Sequence, residues 1–268
     1  MARVLRRPDS PAPPAGTAGG RGGGARGPTG EIALDLSAVP FSRRGCWLNL
    51  ATPRRASEQP LGRGLYLRSS RARGVSPQRE HFLIELVRDG RVRPHRVEAT
   101  AAVVALVPAD GSAGRVELLV EGAATLRARG DGVGLRLTCA LPSRLAPAAK
   151  AIATFPGPTQ VDINLRACLR RYRFTALRGA IASPAAARPE DAAPVIEIGG
   201  DGGGWELAVD DFGSAWEERV RQPFGLVRAH GLARFEAFGR KLPRTPRAWV
   251  AARWLAAYLL WSCTKSPE

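Results

Sequence analysis

The sequence predicts a mainly β protein, an antiparallel β-sandwich followed by a short helical part. Three observations lead there. From Glu31 to about Val209, apolar and polar residues alternate in short runs, the period of half-buried strands. Turns built on Gly, Asp and Pro separate these runs, and no helical period interrupts them before Asp210. After Asp210 the alternation stops and apolar residues recur at helical spacing.

The elements follow in order. Residues 1–30 form a Pro/Gly/Ala/Arg leader with almost no apolar side chains to bury, so its ordering entropy has nothing to offset it. Its "RGGGARG" is a single RGG-like copy without aromatics, a weak signal for RNA. "EIALDL", "CWLNL" and "LYLRS" alternate as strands. In "FLIELVRDGRVRPHRVEA" two strand-like runs flank Asp89-Gly90, a pairing that suits a type I′ turn because both central residues need positive φ. "TAAVVALV" runs to the turn "PADGSAG", and "RVELLV" returns from it. "TLRARGDGVGLRLTC" reads as a second hairpin turning at Gly130-Asp131-Gly132. "QVDINLRA", "RRYRFTAL", "VIEIG" and "WELAVD" supply further strands, and alternate arginines mark their wet face.

"SAWEERVRQPFGLVRAHGLARFEAFGRKL" reads as one or two helices, interrupted near Pro223 and Gly231. In "TPRAWVAARWLAAYLLWSC", Thr245 is placed as N-cap and Pro246 as the first helical residue. Val250, Trp254, Tyr258 and Trp261 share one face of this helix, and Ala251, Leu255 and Leu259 a second. A helix apolar on two sides is expected to be buried on two sides. The sandwich can cover one of them, so further helices are expected against the other.

Composition narrows the function classes. The net charge of +16 invites a polyanion partner. Apart from Lys150, Lys241 and Lys265 the positive charge is arginine, scattered along a chain rich in Ala, Gly and Pro. That scatter points to a GC-biased genome more than to a selected nucleic-acid face. Cys46, Cys139, Cys168 and Cys263 lie far apart and His81, His95 and His230 do not pair with them, so no zinc spacing is present and buried thiols of a reducing compartment are expected. No secretory h-region follows the basic start, which places the chain in the cytoplasm by default. The final apolar stretch, Ala248 to Cys263, holds Arg253 and is shorter than the ~20 residues of a membrane span.

Candidate chemistry is sparse. Arg129-Gly130-Asp131 is explained by turn geometry rather than adhesion. "GGDGGG" lacks the lysine, the hydroxyl and the following helix of a phosphate loop. Asp210-Asp211 stand where strand passes to helix and read as caps. No serine occupies a nucleophile elbow and no histidine cluster offers a base. The residues themselves give no catalytic group, no metal site and no cofactor motif.

A resemblance adds to this. "EIALDLSAVPFSRRGCWLNLA", "GRGLYLRSSR", "HFLIELVRDGRVRPHRVEAT", "RVELLVEG" and "TLRARGDGVGLRLT" resemble the N-terminal β-sandwich of bacterial glycosidases of glycoside hydrolase family 63. These are the mannosylglycerate- and glucosylglycerate-hydrolase-like members of the six-hairpin glycosidase group. "AAYLLWSCTKSPE" is similar to the first inner helix of their (α/α)6 barrel. The resemblance implies a supersandwich-like domain over 31–210, a helical linker over 211–244 and the first barrel helix over 245–268. It implies an inverting mechanism on an α-glucoside or α-mannoside, with an acid and a base on a barrel whose carboxylates fall beyond Glu268. The partner it implies is that barrel, continuing this polypeptide or carried by a separate chain, and this chain is then non-catalytic. Phe41, Ser42, Arg43 and Trp47 at the front and Trp261 and Ser262 at the barrel end become candidates for contact with sugar, through stacking and forked hydrogen bonds. The same six residues suit packing of the domain–barrel interface. Two other readings compete: an arginine-rich binding module for nucleic acid or another polyanion, and a free-standing carbohydrate-binding sandwich, which would need an aromatic platform.

Overall fold

A computed structural model describes residues 32–71, 79–140, 151–182, 193–199, 203–212 and 216–264. The leader and part of "GGDGGG" lie outside the described residues.

The described chain forms two antiparallel sheets and two helices. It begins in the first sheet with β1 (Leu48–Ala51), β2 (Leu65–Ser69), β3 (Glu80–Arg88) and the short β4 (Arg91–Val92). It crosses to the second sheet for β5 (His95–Ala99), β6 (Val104–Pro108), β7 (Arg115–Glu121) and β8 (Thr125–Asp131). β9 (Gly134–Cys139) returns to the first sheet, and β10 (Ala151–Gly157), β11 (Gln160–Leu165) and β12 (Arg170–Arg178) lie in the second. β13 (Ile181–Ala182) and β14 (Val195–Ile198) complete the first sheet, and β15 (Trp205–Phe212) inserts between β12 and β8 of the second. The sheet orders are β1-β2-β3-β9-β14-β13, with β4 on β3, and β10-β11-β12-β15-β8-β7-β6-β5.

Alternation decides which residues face the other sheet. On β12, Tyr172 and Phe174 are buried while Arg171 and Arg173 are not. Phe82 of β3 meets both rings edge-on, at centroid distances of 5.1 Å to Tyr172 and 5.3 Å to Phe174. These edge-to-face contacts join the two sheets at the centre of one continuous core.

Several local readings change. At Asp89-Gly90 both φ angles are positive, 52° and 68°, as a type I′ turn requires. The returning strand, however, pairs for only two residues before Arg93-Pro94, and β5 joins the other sheet. Pro94 has no N–H for a ladder, so the strand breaks where the chain must change layers. "TLRARGDGVGLRLTC" is likewise no hairpin, because β8 pairs with β7 and β15 while β9 pairs with β3 and β14. "EIALDL" contributes a single bridge, Ala33 to Thr100, in place of a strand.

Helix α1 (Phe224–Arg240) starts directly after Pro223 and runs unbroken through Gly231. Residues 216–223, read as helical, have no regular structure. Thr245 does not cap α2 (Val250–Cys263), whose entry is a 3₁₀ turn over Arg247–Trp249. Phe235 of α1 sits among Trp254, Tyr258 and Trp261 at 5.6, 5.8 and 5.4 Å, so both tryptophans are buried by this chain's own residues. Val250, assigned to that face, is exposed. Leu255 and Leu259 of the second face are at the surface, and Leu260 beside them is 58% exposed. No described helix is long and apolar enough to cross a membrane, and a barrel of helices is not part of the described structure.

Candidate functional site: an arginine cleft at the sandwich–helix junction

The segment before β1 ties the helices to the sandwich. Phe41 and Leu50 exchange backbone hydrogen bonds of 2.8 and 2.9 Å, which turns the Phe41 ring into the core. One residue on, the Ser42 hydroxyl donates to the Leu48 carbonyl at 2.8 Å. Its N–H donates to the Tyr258 hydroxyl at 2.8 Å, and that hydroxyl donates back to the Ser42 carbonyl at 3.0 Å. Ser42 is therefore a structural clamp on α2.

Arg43 turns toward α1. It is 8% exposed, and its Nη1 and Nη2 donate to the carbonyls of Val227 and Ala102 at 3.1 and 3.2 Å. A Cβ on Gly231 would overlap the guanidinium, so the glycine read as a helix break is what lets Arg43 lie against the helix. Loss of solvent around Arg43 pushes its pKa down to about 10. The group stays cationic at neutral pH. Its Nε, also buried, has no hydrogen-bond partner among the described residues.

The six sequence candidates thus gather at one junction without forming one site. Arg43 and Trp261 line a cleft of about 880 Å³ between α1, the β7–β8 hairpin and the end of α2. Ser42 and Ser262 line a separate hollow of about 220 Å³ with Leu259 and Cys263. Phe41 lines neither. Trp47 is also in neither, and the Arg71 guanidinium covers its ring at 4.8 Å.

Arg44, His230, Arg234 and Glu121 are the other ionisable side chains described in the lining of the larger cleft. Sequence reasoning passed over them, although His230 and Arg234 are one turn apart on a helix and share the face of Val227 and Gly231. Among the described residues Glu121 is the only acid in the lining, and Arg127 holds it at 2.7 Å. Among the described residues no carboxylate lies within ion-pair distance of Arg43, Arg44 or Arg234, and all carboxylate pairs found involve other arginines. The arginines of its lining suit the cleft to negative charge.

The tempting Asp210-Asp211 pair divides across β15 and caps no helix. Asp210 accepts from Thr125 at 2.6 Å and pairs with Arg221. Asp211 faces the other sheet, from which Ser69 donates to it at 2.9 Å, while Arg170 of the neighbouring strand β12 donates its Nε at 2.7 Å. Burial raises the Asp211 pKa against the pull of Arg170. Nearby, the His81 ring nitrogen and Tyr172 hydroxyl are hydrogen-bonded between the sheets. Three cysteines, Cys46, Cys139 and Cys168, are buried as read from sequence, and Cys263 is exposed. Among the described residues no three metal-ligating side chains converge.

No family model matches the chain, and no curated protein matches it. Among matching solved structures is one described as a kojibiose phosphorylase from the human microbiome, at 5% identity and a TM-score of 0.28. The match covers 85% of this chain and 39% of the phosphorylase, so the chain spans well under half of that protein. A superposition at that level carries no functional argument.

Proposed function

We propose that this chain is the non-catalytic β-sandwich and helical connector of a glycoside hydrolase, of the inverting α-glucosidase or glucosyl/mannosylglycerate hydrolase type. Its work is to seat an (α/α)6 barrel that carries the catalytic acid and base, within the same polypeptide or on a separate chain. The supporting observation is α2, whose inner face is sealed by Phe235 and the Ser42 clamp while Leu255, Leu259 and Leu260 point outward. An apolar row at helical spacing favours another helix as its cover. The motifs "VPFSRRG" and "YLLWSC" support the same reading, because the residues they contain meet at that junction. Phe41, Ser42, Arg43, Trp47, Trp261 and Ser262 then serve mainly to fix the connector, with Trp261 and Arg43 the two that reach a cleft.

The test is direct. Purified chain incubated with glucosylglycerate, mannosylglycerate and simple α-glucosides releases no sugar; turnover by the chain alone overturns the reading.

A further inference from the structure

The cleft bounded by α1, the β7–β8 hairpin and Arg43-Arg44 is electrostatically incomplete. Three guanidiniums line it, those of Arg43, Arg44 and Arg234, with His230 beside them. Its one carboxylate among the described residues, Glu121, is held by Arg127, itself 1% exposed. Arg43 is more than nine-tenths buried and has only backbone carbonyls as partners, with one N–H left over. Glu121 acts on Arg43 only from beyond ion-pair distance, and a buried cation with no counter-ion in contact is costly, so proteins rarely keep one without a use for it. The helix admits it only because residue 231 is glycine.

From this geometry we propose that the cleft is a binding site for a small phosphate-class dianion, either free phosphate or a phosphate monoester. Phosphate matches the lining better than a single carboxylate does. Its oxygens can accept forked N–H bonds from several guanidiniums at once, and its two charges meet an excess of cations. Arg43 forms the floor, and the exposed Arg44 and Arg234 close over the anion from the β1 approach and from α1. The volume of about 880 Å³ leaves room for an organic group on one phosphate oxygen. The inference is independent of the glycosidase reading.

Calorimetric titration of the full chain at constant ionic strength, with inorganic phosphate and in parallel with methyl phosphate, tests it. One saturable site is expected. Arg44→Gln and Arg234→Gln, both at exposed positions, should each weaken phosphate by roughly fivefold or more, since each removes a charge-assisted contact. Arg240→Gln on the same helix, whose partner is Glu236, should leave binding unchanged. Binding of inorganic phosphate alone identifies the free ion as the ligand, and binding of both identifies a site open to monoesters. The proposal is overturned if neither phosphate saturates, if the Arg44→Gln/Arg234→Gln double variant binds as the parent does, or if a single-stranded oligonucleotide binds while phosphate does not.

Discussion

The Tyr258 hydroxyl satisfies both backbone groups of Ser42, accepting from its N–H and donating to its carbonyl, across 216 residues of sequence. Tyr258→Phe keeps the ring against Phe235 and leaves a buried donor and acceptor unpaired. The expected loss is about 1–3 kcal/mol, the cost of an unsatisfied buried polar group. Urea unfolding followed by tryptophan fluorescence measures it. Burial also raises the Tyr258 pKa, so the clamp persists through alkaline pH and the difference between parent and variant should not shrink up to pH 9.

Arg170 and Asp211 give a prediction with a definite pH sign. The Asp211 pKa is raised on folding, so the native state holds this proton more tightly than the unfolded chain does. Its contribution therefore favours folding at acid pH and is lost as pH rises through the window between the unfolded and folded values. Arg170 offsets that loss by stabilising the carboxylate. Arg170→Met should destabilise by about 3–5 kcal/mol at pH 7, because it leaves a buried charge uncompensated. The gap between parent and variant should narrow as pH falls and Asp211 takes up its proton. Unfolding curves at pH 7 and pH 5 decide this, and a gap that widens toward pH 5 contradicts it.

Gly239 sets two opposing effects against each other. In an exposed helix, Gly→Ala gains about 1 kcal/mol of helix propensity. Here a Cβ would overlap the Trp254 ring, packed between α1 and α2. Overpacking a well-filled site costs about 1–3 kcal/mol, so the clash is expected to win. Gly239→Ala should lower the thermal midpoint, while Gly225→Ala, where nothing stands near the new atom, should not.

The β class was legible because alternation is a local signal, and β12 shows it residue by residue, with Tyr172 and Phe174 inward and Arg171 and Arg173 outward. The turn at Asp89-Gly90 was legible because its two positive φ angles need those residue types. Sheet membership was not. The runs either side of Gly130-Asp131-Gly132 alternate alike, and nothing local records that β8 and β9 find partners in different sheets. Asp210 and Asp211 were misread as caps for the same reason, since Arg221 and Arg170 reach them through the fold. In the cleft, Arg43 could be singled out by motif, but its burial depends on Gly231, 188 positions away by residue number, and no local pattern links the two.

The outward face of α2 yields the last prediction. Leu255, Leu259 and Leu260 are 37%, 39% and 58% exposed, with Trp249 and Val250 open at the helix start. An apolar row of this kind on an isolated chain promotes self-association. Light scattering should show the parent associating as its concentration rises, while Leu255→Glu/Leu259→Glu/Leu260→Glu stays monomeric. All three positions lie at the surface, and surface substitutions away from special contacts typically change stability by about 0.5 kcal/mol or less each. The triple variant should therefore keep nearly the parent's unfolding midpoint. If instead it unfolds, the leucines are buried in solution and the face is not available to a barrel. If it folds but associates like the parent, the contact surface lies elsewhere and the proposed role of α2 as the seat of a second domain fails.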